Sequence, residues 1–335
     1  MNHTSKPAST VNHRVRKLLL TSLAIAAGAM AAPAFAADYP ERPVKIIVNW
    51  PAGGPIDIIA RVVAARMSTT LKQAFVVENV TGAAGNIGAS AVARAQPDGY
   101  NILFSIDTPF TMTPLLSTAT PYKLTELRPI VLMGSTASTL VVNPATGFKT
   151  LPELIAKGKQ ESLTFSSPGS GGPGHFAALM LSDATGVKVN PIHYRGNAPA
   201  VMAVVSGEVQ AGILATAGLM PHIKSGKISA LAAASSQRST LLPEVPTAAE
   251  LGVPGLELEF MFVALVPEKT PDAIVTTLRN GINEALQQPD IRERLKTLDT
   301  IPSTLGVNEV AAKLTTTRER YARIIKATGM KGEGQ

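Results

Sequence analysis

Short runs of branched and aromatic residues alternate with segments whose apolar positions recur every three to four residues. The runs VKIIV (44–48), AFVVEN (74–79), YNILFSI (100–106), LTFSS (163–167), VNPIHY (189–194), VQAGILA (209–215) and ISALAAAS (228–235) each predict a buried strand. Between them IDIIARVVAARM (56–67), GAAGNIGASAVARA (82–95), FAALMLSDA (176–184), PAVMAVVSGE (199–208) and GLMPHIKSGK (218–227) predict helices. This alternation describes an α/β protein whose parallel sheets carry helices on their faces. From Thr270 to Thr328 the periodicity is helical throughout, as in PDAIVTTLRNGINEALQQ and NEVAAKLTTTRERYARII.

No low-complexity linker divides the chain, although its length predicts two lobes. The lobes are therefore expected to interleave, joined by strands that cross between them. Residues 131–143 (VLMGSTASTLVVN) and 256–267 (LELEFMFVALVP) are long, mostly apolar and flank the middle third, which fits such crossings. The expected division is a signal peptide over 1–36, a discontinuous first lobe over 37–138 and 262–335, and a second lobe over 139–261.

The N-terminus changes the charge balance. Lys6, Arg14, Arg16 and Lys17 form a basic head, Leu18 to Ala32 is apolar, and Ala34-Phe35-Ala36 is a small-x-small cleavage site. That order predicts a secretory signal peptide, too short to span a bilayer, and export to the periplasm. Four of the 31 basic residues leave with it, against 24 acidic ones, so the net charge falls from +7 to +3. No basic cluster is interleaved with aromatics, which argues against a nucleic-acid partner. The absence of cysteine excludes disulfides and thiolate metal sites.

Three strand-to-helix junctions are rich in glycine: NWPAGGPID (49–57), ENVTGAAGNIGA (78–89) and SSPGSGGPGH (166–175). In α/β sheets ligands bind outside the carboxyl ends of strands, where such turns lie. Glycine lets backbone approach a ligand there, and successive N–H groups at a helix start attract an anion. Gly54 and Gly171 are the positions expected to come closest to it. At the first of these turns neither G-x-G-x-x-G nor G-K-[ST] occurs. Catalytic signatures are missing as well: there is no G-x-S-x-G, H-E-x-x-H or C-x-x-C. Neither catalytic nor metal-binding residues are assigned, and no cofactor is expected. Asp57 has two readings, acceptor for first-turn amides or receiver of a ligand ammonium or hydroxyl group.

The succession YPERPVKIIVNWPAGGPIDIIAR, VVENVTGAAGNIGASAVARAQPDGYNIL, HYRGNAPA, GEVQAGI, PHIKSGKISALA and LPEVPTAAELGVPG resembles, in order and over essentially the whole mature chain, the periplasmic receptors of tripartite tricarboxylate transporters. These are also called Bordetella uptake gene receptors. The resemblance implies a type II periplasmic binding protein fold, with two Rossmann-like lobes joined by crossing hinge strands. It implies capture of a small organic carboxylate, a dicarboxylate or an aromatic acid included, by a monomer that serves membrane transporter subunits and is not an enzyme. Neutral nicotinamide-like ligands stay open, as do two other roles: a ligand-sensing module of a signalling protein and a periplasmic hydrolase of a similar anion.

Carried over by position, the first binding loop is Trp50, Pro51, Ala52, Gly53, Gly54 and Asp57. The second is Ser166, Ser167, Gly169, Ser170, Gly171, Gly172 and His175. Ser105, Asp107 and Thr108, with Arg195, Asn197 and Thr216, are the remaining candidate ligand contacts. The chain departs from the family pattern at Asn49-Trp50, where an apolar residue and Phe are usual, and at Val80-Thr81, where Arg-Pro is common. It departs again at Arg195, often lysine, and at Met261-Phe262-Val263, often Trp-Phe-Gly.

Overall fold

The structure is a computed structural model that describes residues 39–116, 120–169, 173–194, 196–303 and 305–329. The expected signal peptide, Ser170, Gly171, Gly172 and Arg195 lie outside the described residues.

The first stretch of chain runs β1 (Val44–Val48), α1 (Pro55–Thr70), β2 (Phe75–Asn79), α2 (Asn86–Ala93), β3 (Asn101–Ile106), the single turns α3 (Thr108–Thr111) and α4 (Thr113–Leu116), and β4 (Leu127–Thr136). The middle third is β5 (Ser138–Val142), α5 (Leu151–Gln160), β6 (Leu163–Ser167), α6 (Pro173–Thr185), β7 (Val189–His193), α7 (Asn197–Ser206), β8 (Ala211–Ala215), α8 (Thr216–Lys224) and β9 (Ser229–Ala233). The chain then returns as β10 (Phe260–Pro267), α9 (Asp272–Gln287), α10 (Pro289–Thr297), β11 (Thr300–Ile301) and α11 (Val307–Thr328). The short β11 interrupts the C-terminal part, which is therefore not helical throughout. Its two residues pair with the edge strand β4.

Local chemistry explains the elements. α1 begins with Pro55, whose fixed φ suits a first helical position. It buries Ile56, Ile59, Ala60, Val63, Ala64 and Met67, the stripe that a 3.6-residue period predicts. β1 is branched at four of its five positions and buries those four.

Two sheets result, ordered β11-β4-β10-β3-β1-β2 and β7-β6-β8-β5-β9. They are mixed rather than parallel. β1 pairs in parallel with β2 and β3, but β10 runs antiparallel to β3 and β4. In the second sheet β6 pairs in parallel with β7 and β8, and β5 runs antiparallel to β8 and β9. Of the antiparallel strands, β10 and β5 enter directly from the other lobe, so they begin where their neighbours end; the two-residue β11 is antiparallel to β4 alone.

That reversal fixes where the sheets meet. β3 and β4 both oppose β10, so the carboxyl ends of β1, β3 and β4 lie on one side. β4 leads through Ala137 straight into β5, whose first residue Ser138 pairs with Ala215, the last of β8. The carboxyl ends of the parallel strands in both sheets therefore flank a single crossing at 136–138. Thr216 fixes the crossing: its N–H and Oγ1 both donate to the Ala137 carbonyl, at 3.3 and 3.1 Å. Its Oγ1 also lies 2.8 Å from Thr139 Oγ1. The return crossing joins alongside, with Ala234 N–H donating to Ser138 O and Leu258 N–H to Ala234 O.

Residues from Pro40 onward form a single compact unit. In the second sheet Leu140, Val142, Phe165, Ala211 and Ile213 share a core with Phe176, Met180 and Leu181 of α6. α7 and α8 cover the other face with Ala200, Val204 and Leu219 over Val141 and Leu214. Met112, Leu116 and Tyr321 join the α6 core. Helix α11 thus starts against the first lobe, where Val310 is buried among Leu103, Leu132 and Val263, and ends against the second.

Candidate functional site

The first loop turns sharply between β1 and α1. Gly53 has φ +81°, whereas Gly54 is extended at φ −74°. Of this pair, Gly53 is the residue whose backbone conformation disfavours a side chain. Pro51, Ala52 and Gly53 are exposed. Gly53→Val is expected to lower the melting temperature, because a branched side chain is strained at this positive φ, whereas Gly54→Ala should leave it nearly unchanged. Thermal melting followed by circular dichroism checks this contrast.

Asp57 sits beneath this turn with only 3% of its side chain exposed. Its partners are not the first-turn amides. Oδ2 accepts from Gly53 N–H (2.9 Å) and Arg61 Nε (3.0 Å), and Oδ1 accepts from Arg61 Nη2 (3.0 Å) and Asn79 Nδ2 (2.9 Å). Burial raises the Asp57 pKa, but the bonds from Arg61, Gly53 and Asn79 outweigh it and hold the carboxyl below its ordinary range. Asn79, the last residue of β2, also donates to the Trp50 carbonyl at 3.0 Å. Arg61 and Asn79 are absent from the motif-based list. The Asp-to-Arg spacing of four on one helix face is a legible signal for Arg61.

The second loop follows β6 at the corresponding strand end. Ser166 is fully buried, and Ser167 Oγ donates to the Gly169 carbonyl at 2.7 Å. His175, in the first turn of α6, lies 4.6 Å from the His193 ring at the end of β7, centroid to centroid. Burial first, and then the charge of His193, push the His175 pKa down to about 4, so its ring is neutral at pH 7. Asn197 opens α7 at the neighbouring strand end.

Other candidates lie deeper. Thr216 is fully buried and committed to the crossing. Ser105 is buried, with its hydroxyl bonded to the Ile106 carbonyl at 2.6 Å, and Thr108 is the first residue of α3. Asp107 is 1% exposed; its Oδ1 accepts from Met261 N–H at 3.0 Å and its Oδ2 from Thr111 Oγ1 at 2.9 Å.

Three buried polar atoms near these strand ends have no hydrogen-bond partner among the described residues: Asn49 Oδ1, Trp50 Nε1 and Ser166 Oγ. Folded proteins rarely leave such groups unpaired, and ligand sites are a recurrent reason. Asn49 also donates to the Gly85 carbonyl at 2.9 Å, which ties the first loop to the third glycine turn. In that turn Gly82, Ala83, Ala84 and Gly85 all have positive φ. Two consecutive alanines in this region are costly, and such strain persists only where surroundings impose it. Among the described residues no group of three or more His, Asp or Glu is placed to hold a metal ion, and no helix is long and apolar enough to cross a membrane.

Residues 59–330 match the tripartite tricarboxylate transporter family receptor. The chain belongs to this family. Protein BugT of Bordetella pertussis is similar to this receptor at 35% identity over 320 residues, 94% of this chain and 98% of that protein. The solved structure of R. palustris Rpa4515 with adipate superposes with a TM-score of 0.77 at 28% identity, covering 88% of this chain and all of that one. MatC (Rpa3494) from Rhodopseudomonas palustris with bound malate gives 0.72 at 27% identity, covering 86% of this chain and all of that one. The receptor thus has the two-lobe binding-protein fold of its relatives, which are binding receptors and not enzymes.

Proposed function

We propose that this receptor works in the periplasm, after removal of residues 1–36, as a monomer that captures a small dicarboxylate between its lobes. It then delivers the ligand to a tripartite tricarboxylate-type membrane transporter. The observation that supports the reading is that two strand-to-helix junctions whose sequences are glycine-rich, after β1 and after β6, follow carboxyl strand ends on either side of the 136–138 crossing, one per sheet. Backbone amides and small hydroxyls satisfy a carboxylate without a fixed counter-charge, and charge-assisted bonds contribute roughly 1.5–3 kcal/mol each. A ligand held from both sides favours the closed arrangement of the lobes, a shape a membrane partner can distinguish. The adipate- and malate-bound relatives support a dicarboxylate.

Thermal shift of protein verified to be ligand-free, against C4 to C8 dicarboxylates and aromatic acids, tests the proposal. A ligand at a hundred times its Kd stabilises by about 2.7 kcal/mol, a shift of several degrees. A panel in which no carboxylate moves the melting temperature, or in which a hit is chemically converted, would overturn it.

A further inference from the structure

We infer that Arg61 is a positioning residue of the first binding loop, acting through Asp57 to make that loop fit for an anion. The inference rests on the proposed reading of the loop as a carboxylate site. Asp57 closes the turn by accepting the Gly53 N–H, and only an ionised or otherwise oxygen-bearing side chain can do so. The same carboxylate places a negative charge beneath a loop meant to receive another. Arg61 resolves the conflict. Its Nε and Nη2 take one oxygen each in a two-point grip, and Nη2 also donates to Asn79 Oδ1 at 3.0 Å. Asn79 returns bonds to Asp57 and to the Trp50 carbonyl, so the clasp touches the loop at both ends.

The exposures of the pair support this role. Asp57 is 3% exposed and Arg61 is 52% exposed, so the guanidinium seals the carboxylate from outside while keeping much of its own hydration. Among the described residues Arg61 is the charged group that acts on Asp57; the facing strand β2 contributes neutral Asn79, and its Glu78 pairs instead with Lys45 at 3.1 Å. Removing Arg61 would leave a buried carboxylate without a countercharge beside the anion loop. Such a group becomes easier to protonate, and while ionised it repels the ligand.

Trp50, the sole tryptophan of the chain, sits in the loop and reports on it optically. The experiment compares wild type, Arg61→Met and the double variant Asp57→Asn/Arg61→Met, with adipate and malate as probes. Arg61→Met should bind about tenfold or more weakly at about pH 7.5, and the gap to wild type should narrow toward about threefold near pH 5 as Asp57 protonates. The double variant should bind more tightly than Arg61→Met at about pH 7.5 and should lack its pH dependence, because the introduced amide keeps an oxygen to accept the Gly53 N–H and carries no charge. Arg61→Lys should restore part of the loss. Without any ligand, Trp50 emission of Arg61→Met should show a pH transition absent from wild type and from the double variant.

Binding by Arg61→Met equal to wild type at neutral pH would overturn the inference. So would a loss that is independent of pH and unrelieved in the double variant, the signature of simple structural damage. If wild type binds neither probe, the proposed function fails for these ligands, whereas the Trp50 titration still decides the role of Arg61: a transition upholds it and a flat trace rejects it.

Discussion

Asp107→Asn is expected to stabilise the protein at neutral pH, by up to about 3 kcal/mol. The Asp107 pKa is pushed up to about 6, by burial first and by the nearby Glu259 charge, against the bonds from Met261, Thr111 and its own N–H that pull it down. An unfolded aspartate titrates near 3.9, so between these values the folded protein holds a proton that the unfolded chain has released. The contribution of Asp107 is therefore complete below about pH 4 and is lost as pH rises through about 6. Asparagine cannot ionise and escapes that loss. It also fits the site: Oδ1 can accept the Met261 N–H, while its amide donates to Thr111 Oγ1, which keeps the Asp107 carbonyl as an acceptor at 3.1 Å. Urea unfolding of both proteins from about pH 4 to 8 isolates the effect, since all other groups are shared. Asp107→Ala should instead destabilise by about 1–3 kcal/mol, because it strands the Met261 N–H. An asparagine variant weaker than wild type at pH 7.5, with the same pH slope, would contradict this account.

Tyr321→Ala should cost roughly 3–5 kcal/mol, the range for emptying a buried aromatic site. Tyr321 is 1% exposed and meets Phe176 edge-on, with ring centroids 4.8 Å apart at 70°. Its neighbours on α11 hold less apolar surface: Ile324 and Ile325 pack on that core only in part, and Arg320 binds the Glu257 carbonyl and pairs with its carboxylate. The near end is held separately by Val310 and Leu314 in the first lobe's core. Hydrogen exchange should accordingly speed up over residues 318–328 and change little over 307–314. Uniform acceleration along the helix, or a loss below about 1 kcal/mol, would show that Tyr321 is not the anchor.

Strand positions were legible because branched runs and 3.6-residue periods are local signals. Strand direction was not. β10 is buried at seven of its eight positions, and a strand buried on both faces reads the same whichever way its neighbours run. The turns at 49–57 and 78–89 were legible as turns, but which of Gly53 and Gly54 takes the left-handed conformation depends on the Asp57 bond that closes the loop. Asp107 illustrates the remaining difficulty. A carboxylate at a strand end invites a ligand-contact reading, yet its main partner, Met261, is 154 residues away in sequence. Asn79 likewise reaches Asp57 across 22 residues, beyond any helical spacing.

The order of strands in the first sheet has a consequence for how the chain folds. β10 lies between β3 and β4, so two neighbours that are synthesised early must wait for residues 260–267 before either inner edge is paired. Contacts of such long range form slowly, and unpaired strand edges are prone to associate with other chains. Neither sheet-forming half can be finished as it emerges: the first lacks its middle strand, and the second lacks the Tyr321 that caps its core. A chain truncated ahead of Phe260 is therefore an aggregation hazard rather than half a receptor, and a nascent chain needs shielding until β10 and Tyr321 have arrived.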